Sequence, residues 1–324
     1  MKLVIFTICK NEAETLEGLL ERIPKKIKGV STIETLVISD GSTDDTTKIA
    51  RGKATKVIEG RKQKRLAYRF AQALETVLEM GADFAVNIDG DLQFAPEDIP
   101  KLVEPVVAGE ADFVAADRFT DPETGKRRRP ENMPKGKYLA NRLGSYIVGS
   151  LSKESFRDVT CGFRAYNKRT MMAININSNY TYTQESFQVL ALKKFTIKSM
   201  PIDVKYYPGR KSRVVSSFWQ FLFGSALNIL RAYRDYAPLR FFGTLSAICL
   251  FVGAITGGFV ARHWMVQGSI SPYISVGIFA LFFVTLGIVF ALIGLVTDMF
   301  DRMINNQEKI LEELKIARYS SSDK

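Results

Sequence analysis

The sequence predicts a mostly parallel α/β domain over residues 1–213 that is followed by a pair of membrane-spanning helices. Two observations lead to this fold class. Over the first 120 residues, apolar runs rich in β-branched residues alternate with helical patterns. Residues 241–297 carry almost no charge, whereas the domain before them mixes charged and apolar residues as soluble domains do.

Five short apolar runs predict the strands, and amphipathic patterns between them predict the helices. The strands are expected at residues 2–8, 33–39, 54–58, 83–88 and 112–116, and the helices at 12–22, 43–50, 64–80 and 97–108. Because strands and helices alternate, we expect helices on both faces of the sheet and a ligand site at the carboxyl ends of the strands. The first apolar run is too short for a signal peptide.

Residues 241–261 and 273–297 predict a transmembrane hairpin. Both runs are uncharged, and the first would extend roughly 31 Å as a helix, which is close to the thickness of the bilayer hydrocarbon. Two core helices of a soluble protein are the alternative, but such long uninterrupted runs favour a membrane. Lys and Arg are dense before the hairpin and sparse in its connector, so we expect both termini and the first domain in the cytoplasm, at the plasma membrane or an equivalent one.

The hairpin is flanked by two amphipathic patterns. Residues 214–237 predict an interfacial helix on the lipid headgroups, because its large apolar residues share one face. Residues 298–324 predict a cytoplasmic carboxyl-terminal helix and tail that packs either on the first domain or on another subunit. The second arrangement would make the protein a homo-oligomer, and the sequence does not choose between the two.

The formal net charge of +11 indicates an anionic partner. The excess is concentrated in residues 126–142 and 205–213. Solvated loops are one explanation, but the position of both clusters before the hairpin favours lipid headgroups or phosphorylated ligands. No nucleic-acid motif accompanies them, so we expect no nucleic-acid partner. The three cysteines lack paired spacing, which predicts neither a disulfide nor a zinc site and indicates a reducing compartment.

Two acidic motifs close predicted strands. Asp40 ends the second strand within SDGSTDD, and Asp89 and Asp91 follow the fourth strand within DGDLQF. Alternate residues of an extended segment face the same way, so the two carboxylates are presented together, with Gln93 next in register. Paired carboxylates repel each other unless a cation joins them, and a hard divalent cation is their natural partner. Ordinary surface turns are the alternative for both motifs.

The order of six motifs resembles that of the family-two glycosyltransferases. The motifs are ICKNE at 8–12, SDGSTDD at 39–45, DGDLQF at 89–94, ADR at 116–118, DVTCGFRAY at 158–166 and PGRKSR at 208–213. Within that family they are similar to the polyprenyl-phosphate sugar synthases, such as dolichol-phosphate mannose synthase. The resemblance implies a GT-A, Rossmann-like fold and an inverting transfer of a hexose from a UDP- or GDP-sugar to dolichyl or undecaprenyl phosphate.

The resemblance also implies a role for individual residues. Those expected to bind the nucleotide-sugar are Ile8, Asn11, Glu12, Asp40, Asp89 and Gln93. Those expected to hold Mg²⁺ or Mn²⁺ are Asp89, Asp91 and Gln93, and Asp91 and Arg118 are expected to be catalytic. Those expected to grip the acceptor phosphate are Arg118, Lys137, Asn141, Arg164, Arg210, Ser212 and Arg213.

The residue inventory favours a phosphate acceptor over a sugar hydroxyl. The single histidine, His263, lies in the hairpin connector and provides no base for the soluble domain. A lipid monophosphate has a second pKa of about 6, so it is largely ionised and needs positioning rather than deprotonation. Two alternatives remain: a glycosyltransferase that extends a lipid-linked or polysaccharide acceptor, and a non-enzymatic scaffold that binds anionic lipid.

Overall fold

The computed structural model describes residues 1–152, 154–176, 182–206, 234 and 238–320. The chain divides into two compact units, Met1–Arg213 with Leu311–Lys324, and Val214–Ile310. The interfacial helix predicted at 214–237 lies outside the described residues, apart from Arg234, and so do the predicted site residues Arg210, Ser212 and Arg213.

The first unit is built on a sheet that contains seven strands in the described part of the chain. The strands are β1 (Lys2–Cys9), β2 (Thr32–Asp40), β3 (Lys56–Gly60), β4 (Phe84–Asn87), β5 (Phe113–Asp117), β6 (Arg164–Asn167) and β7 (Ile197–Pro201). Their order is β3-β2-β1-β4-β6-β5-β7. Every neighbouring pair is parallel except for β6, which runs antiparallel to both β4 and β5. The mostly parallel sheet confirms the predicted fold class.

Helices cover both faces of this sheet. They are α1 (Ala13–Glu21), α2 (Thr46–Lys53), α3 (Leu66–Glu79), α4 (Ile99–Val107), α5 (Lys135–Ser152), α6 (Lys168–Ala173) and α7 (Thr183–Leu192). Alternate residues of β1 belong to two separate apolar clusters: Phe6 packs with Phe70 of α3, whereas Ile5 packs with Leu16 of α1. Strands with two buried faces and parallel neighbours produce this pattern.

The strand register brings the acidic motifs to one edge. The last residue of β1, Cys9, pairs with Ser39 of β2, and Phe6 of β1 pairs with Asn87 at the end of β4. The segments that leave these three strands therefore start side by side. They contain the ICKNE, SDGSTDD and DGD motifs, so the sheet assembles at one edge what the sequence distributes over more than 80 residues.

The second unit contains two long helices, α8 (Pro238–Gln267) and most of α9 (Ile274–Ser320). Both are long and apolar enough to cross a membrane. They approach closely at glycines: a Cβ added to Gly253 would lie 3.1 Å from the carbonyl oxygen of Ala280, and one added to Gly287 would lie 3.1 Å from the backbone nitrogen of Leu250. Small residues at such crossings are typical of membrane helices, and the unit is that of a membrane protein.

The last turns of α9 belong to the first unit. Tyr319 is buried in the apolar cluster of α3 and α6. Lys315 donates hydrogen bonds to the carbonyl oxygen of Ile174 (3.3 Å) and to Oδ1 of Asn175 (2.6 Å), and Glu312 pairs with Lys193 at 2.7 Å. The segment after the second span is thus a continuation of the same helix. It packs on the first domain, which was one of the two arrangements left open by the sequence.

Candidate active site

The turn after β2 presents Asp40 as a buried and compensated carboxylate. Asp40 is only 5% exposed, and its Oδ1 accepts hydrogen bonds from Nε of Arg69 (2.7 Å) and from the backbone N–H of Lys64 (2.8 Å). Gly60 makes room for this pair, because a Cβ there would lie 1.8 Å from Nη2 of Arg69. Sequence reasoning missed Arg69. The signal was present, since Arg69 is a charged residue on the otherwise apolar face of α3.

The loop after β1 is tied to the same turn. Asn11 adopts a left-handed conformation with a φ of 55°, and its backbone N–H donates to Oγ of Ser42 at 3.1 Å. In return, the N–H of Thr43 donates to Oδ1 of Asn11 at 2.8 Å. The N–H of Glu12 donates to Oγ1 of Thr46 at 2.9 Å. Hydrogen bonds therefore bring together Asn11 and Glu12, two of the residues predicted to bind the nucleotide, and hold them beside Asp40.

The third predicted position in this region, Ile8, is half-buried near the end of β1. It pairs with Ile38 of β2 in the sheet. Its side chain has no polar atom, so any contribution to nucleotide binding would be apolar contact.

The turn after β4 contains the paired carboxylates. Burial and the neighbouring charge of Asp91 together raise the pKa of Asp89 to about 6, although the charges of Arg118 and Arg164 act in the opposite direction. Among the described residues, no hydrogen bond or ion pair reaches the Asp89 carboxylate. Thr15 of α1 fixes the turn by donating from Oγ1 to the carbonyl oxygen of Gly90 at 2.7 Å. The sheet thus holds two like charges together without a compensating base in contact with Asp89.

Gln93 completes the predicted metal-binding group. Its backbone N–H donates to Oδ1 of Asp91 at 3.1 Å, and its side chain is partly exposed. In the described ranges, no three side chains of His, Cys, Asp or Glu form a metal-binding cluster. The available donors are therefore two carboxylates and one amide oxygen. This set of hard oxygen donors fits a divalent cation whose remaining ligands are water or phosphate oxygens.

Arg118 lies at the end of β5 in a buried network. Its Nε and Nη2 bind Asp158 at 2.6 and 2.9 Å, Nη2 also donates to Oγ1 of Thr160 at 2.7 Å, and Nη1 donates to the hydroxyl of Tyr206 at 3.1 Å. Burial alone would raise the pKa of Asp158, but the charge of Arg118 and its hydrogen bonds bring it below the usual range. Sequence reasoning missed Asp158, Thr160 and Tyr206, although the first two belong to the DVTCGFRAY motif.

Lys137 of α5 lies close to this network. Its ammonium nitrogen is 5.2 Å from the centre of the Tyr206 ring. Burial and the positive charge of Arg118 lower the pKa of Lys137, whereas Asp91 and Asp158 act in the opposite direction. Lys137 is therefore within electrostatic reach of both the acidic pair and Arg118. Asn141 follows one helical turn later and is partly exposed.

Arg164 lies in a different environment from Arg118, Lys137 and Asn141. It is fully buried on β6, and all of its bonds are internal: Nε donates to the carbonyl oxygen of Cys161 (2.7 Å), Nη2 to those of Val159 (3.1 Å) and Thr183 (2.8 Å), and Nη1 to the Ser186 hydroxyl. The structure therefore brings Arg118, Lys137 and Asn141 to one region but gives Arg164 a different setting. It shapes the loop beside Asp89 and lowers the pKa of that carboxyl through its charge.

Comparison with protein families identifies the enzymes that this chain resembles. Residues 4–174 match the model of glycosyl transferase family 2. The chain belongs to this family. The match covers most of β1, strands β2 to β6, the DGS and DGD turns, and Arg118, and it makes the chain a glycosyltransferase. The non-enzymatic scaffold is thereby set aside as the account of the whole protein.

Relatives and solved structures agree with this family. The chain is 26% identical to the glycosyltransferase AglJ of Haloferax volcanii over 96% of this chain and 97% of that protein. It is 25% identical to a UDP-N-acetylglucosamine–dolichyl-phosphate N-acetylglucosaminyltransferase of Methanococcus voltae, over 59% of this chain and 82% of that protein. It is 23% identical to an undecaprenyl-phosphate 4-deoxy-4-formamido-L-arabinose transferase of Proteus mirabilis, over 91% of this chain and 87% of that protein. The predicted resemblance to the polyprenyl-phosphate group is confirmed.

The fold has a solved counterpart. Glucosyl-3-phosphoglycerate synthase of Mycobacterium tuberculosis, crystallised with Mn²⁺, UDP and glucosyl-3-phosphoglycerate, superposes with a TM-score of 0.51 at 18% identity, over 72% of this chain and 79% of that chain. At this identity the likeness concerns the fold, and it confirms the predicted GT-A architecture.

Proposed function

We propose that this protein transfers a hexose from a nucleotide-sugar to a polyprenyl phosphate, with inversion at the sugar and with Mg²⁺ or Mn²⁺ bound. The observation that carries the proposal is the meeting of two charge groups at one edge of the sheet. The acidic pair Asp89 and Asp91 is suited to a cation and a diphosphate. Arg118 acts electrostatically on Asp89 and Lys137 on Asp91, and these two bases are suited to a second phosphate.

On the donor side, the tied loops after β1 and β2 supply Ile8, Asn11, Glu12 and Asp40 for the nucleoside. Asp89, Asp91 and Gln93 would hold the cation. A bound divalent cation supplies Lewis-acid stabilisation to the nucleoside diphosphate that leaves. Because Asp40 is already neutralised by Arg69, it offers hydrogen-bond acceptors with little net charge, which suits a nucleobase better than a diphosphate.

On the acceptor side, Arg118, Lys137 and Asn141 bind the lipid phosphate and aim one of its oxygens at the anomeric carbon. Arg118 is well prepared for this role, because the bidentate pair with Asp158 fixes the plane of its guanidinium group. The acceptor oxygen is ionised near neutral pH, so no general base is required. Direct attack opposite the leaving diphosphate gives inversion.

Two lines support the lipid acceptor. Relatives that align over much of this chain are named for dolichyl or undecaprenyl phosphate, and α8 and α9 are long and apolar enough to span a membrane. We further propose that the first unit and both termini face the cytoplasm, because basic residues are dense before α8 and sparse in the connector.

The test is a donor panel with the full chain in nanodiscs. Radiolabelled UDP- and GDP-sugars are incubated with polyprenyl phosphate, with Mg²⁺, Mn²⁺ or a chelator. We expect a single donor to give a labelled lipid monophosphate sugar, and the chelator to abolish it. The Asp91→Ala variant should lose turnover, whereas Asp203→Ala, an exposed carboxylate paired with Arg128, should retain it. Label that appears only in longer glycans would favour an enzyme that extends an existing glycan and would contradict the proposal.

A further inference from the structure

A second basic site lies on the first unit, beside α5. It is a cleft of about 340 Å³, which we call the arginine cleft. Its lining combines three arginines, four aromatic rings and three serine hydroxyls with one carboxylate: Phe119, Arg127, Tyr138, Arg142, Ser145, Tyr146, Gly149, Ser150, Glu154, Ser155, Phe156 and Arg157. Arg118, Lys137 and Asn141 do not line it.

The walls of the arginine cleft are held by backbone contacts. The N–H of Glu154 donates to the carbonyl oxygen of Gly149 at 2.9 Å, and a Cβ at Gly149 would lie 2.6 Å from the Glu154 carbonyl oxygen. On the opposite wall, Arg127 forms an antiparallel bridge with Thr120. The side chain of Arg157 crosses between the walls and donates from Nη1 to Oγ1 of Thr120 at 2.6 Å. The cleft is therefore a built feature rather than a gap between loose loops.

The positive charge of the arginine cleft is not compensated. Two exposed arginines elsewhere are paired: Arg22 with Glu97 and Arg51 with Glu59. In the arginine cleft, Arg127, Arg142 and Arg157 form no ion pair with a carboxylate of the described residues. Glu154 lines the same cleft but is not paired with any of the three. Three converging guanidinium groups repel one another, so an anion that entered between them would relieve this repulsion.

The arginine cleft uses a different face of α5 from the acceptor residues of the proposed function. Lys137 and Asn141 are one turn apart on the face that approaches Tyr206. Tyr138 and Arg142 follow them by one residue each, so they are rotated by about 100° around the helix axis. The aromatic ring of Tyr138 packs against Phe119 at 5.2 Å, and Arg142 lies over the same ring at 5.6 Å. One helix thus separates two basic sites.

We propose that the arginine cleft binds a phosphate group, independently of the acceptor phosphate at Arg118. Planar guanidinium groups match phosphate oxygens with paired hydrogen bonds, and Ser145, Ser150 and Ser155 offer further donors. The aromatic walls and the highly exposed Tyr146 accept the apolar part of a larger molecule. Both a free phosphate ester and a lipid phosphate monoester carry this chemistry.

The experiment measures phosphate binding by the full chain with the metal chelated. Inorganic phosphate is titrated into the protein in detergent, and a lipid phosphate monoester is titrated in nanodiscs of neutral lipid. The test variant is Arg127→Gln with Arg142→Gln, and the matched control is Lys25→Gln with Arg51→Gln, which removes two exposed charges from residues that neither line the cleft nor adjoin its lining in sequence. We expect the test variant to weaken binding about tenfold or more, and the control to stay within about twofold of the wild type.

Each result bears on the proposal. Weaker binding of both probes in the test variant alone supports a site for the phosphate group itself, and weaker binding of the lipid alone identifies a headgroup site. Equal affinities for the test and control variants, with both probes, would overturn the proposal. Transferase turnover with a polyprenyl phosphate is measured in parallel. Because neither arginine belongs to the proposed transfer site, turnover should persist, so a failure here is distinct from a failure of the proposed function. Single Arg142→Gln serves if the double variant does not fold.

Discussion

The turns after β2 and β4 look alike in sequence but differ in charge. Both are acidic, both contain an Asp-Gly pair, and both end a buried strand at the same edge of the sheet. Asp40 is compensated by Arg69 at 2.7 Å, whereas Asp89 is raised in pKa to about 6 by burial and by its like-charged neighbour. The charge of the first turn is compensated within the protein, whereas no hydrogen bond or ion pair from a described residue reaches the Asp89 carboxylate of the second turn. We propose that this difference separates a stabilising carboxylate from a cation-binding one.

The largest effect is expected from breaking the compensated turn. Asp40→Ala leaves the buried Arg69 without its partner, and loss of one member of a buried pair costs about 3–5 kcal/mol of unfolding free energy. Thermal unfolding can be followed with a thiol-reactive dye, because Cys9 and Cys161 are buried and burial raises the pKa of both thiols to about 12. The dye should react only as the protein unfolds.

The control for this experiment removes both charges. Asp40→Leu with Arg69→Met leaves no buried charge unpaired, so it should recover most of the stability that Asp40→Ala loses. If Asp40→Ala melts like the wild type, then Arg69 does not depend on Asp40 and the contrast between the two turns is wrong.

A substitution in the turn after β4 should lower catalytic turnover rather than stability. Asp91→Asn removes one charge of the acidic pair, and we expect turnover to fall about a hundredfold to a thousandfold, the range for loss of a major electrostatic group in an active site. The melting temperature of the metal-free protein should stay level or rise, because the repulsion with Asp89 is gone. If Asp91→Asn instead lowered the melting temperature and left the turnover of the folded protein unchanged, Asp91 would have a structural role and the contrast between the two turns would be wrong.

The contrast also shows what a local pattern can address. The spacing of Asp89 and Asp91 is local, so the period of a strand predicts a common direction and a shared cation, and this stays a prediction. The partner of Asp40 lies 29 residues away on α3, and that of Arg118 lies 40 residues away in a loop. Such pairs depend on how helices and strands pack, which no local pattern encodes. For the same reason, the antiparallel insertion of β6 and the internal bonds of Arg164 could not be predicted, although the sequence analysis identified the DVTCGFRAY motif that contains Arg164.

A smaller effect is expected from pH in the metal-free protein. A carboxyl whose pKa is raised on folding favours the protonated folded state, so its contribution is present at low pH and is lost as the pH rises through about 6. We expect stability to fall by on the order of 1 kcal/mol between pH 5 and pH 7.5. Asp89→Asn should remove this slope, and Asp40→Asn should leave it in place. A wild-type protein with no slope would mean that Asp89 is already neutralised without metal.

The smallest effect is expected at the glycine that faces the acidic pair. A Cβ at Gly162 would lie 3.0 Å from Oδ1 of Asp89, so Gly162→Ala pushes the carboxylate by a few tenths of an ångström. A ligand displaced by so little should weaken Mn²⁺ binding only severalfold, with little change in melting temperature. The matched variant Gly60→Ala places a methyl group 1.8 Å from Nη2 of Arg69, and it should lower the melting temperature without changing the metal affinity of the folded protein. Both variants add the same methyl group beside an aspartate. If Gly162→Ala lowered the melting temperature and Gly60→Ala weakened Mn²⁺ binding, charge compensation would not distinguish the two turns.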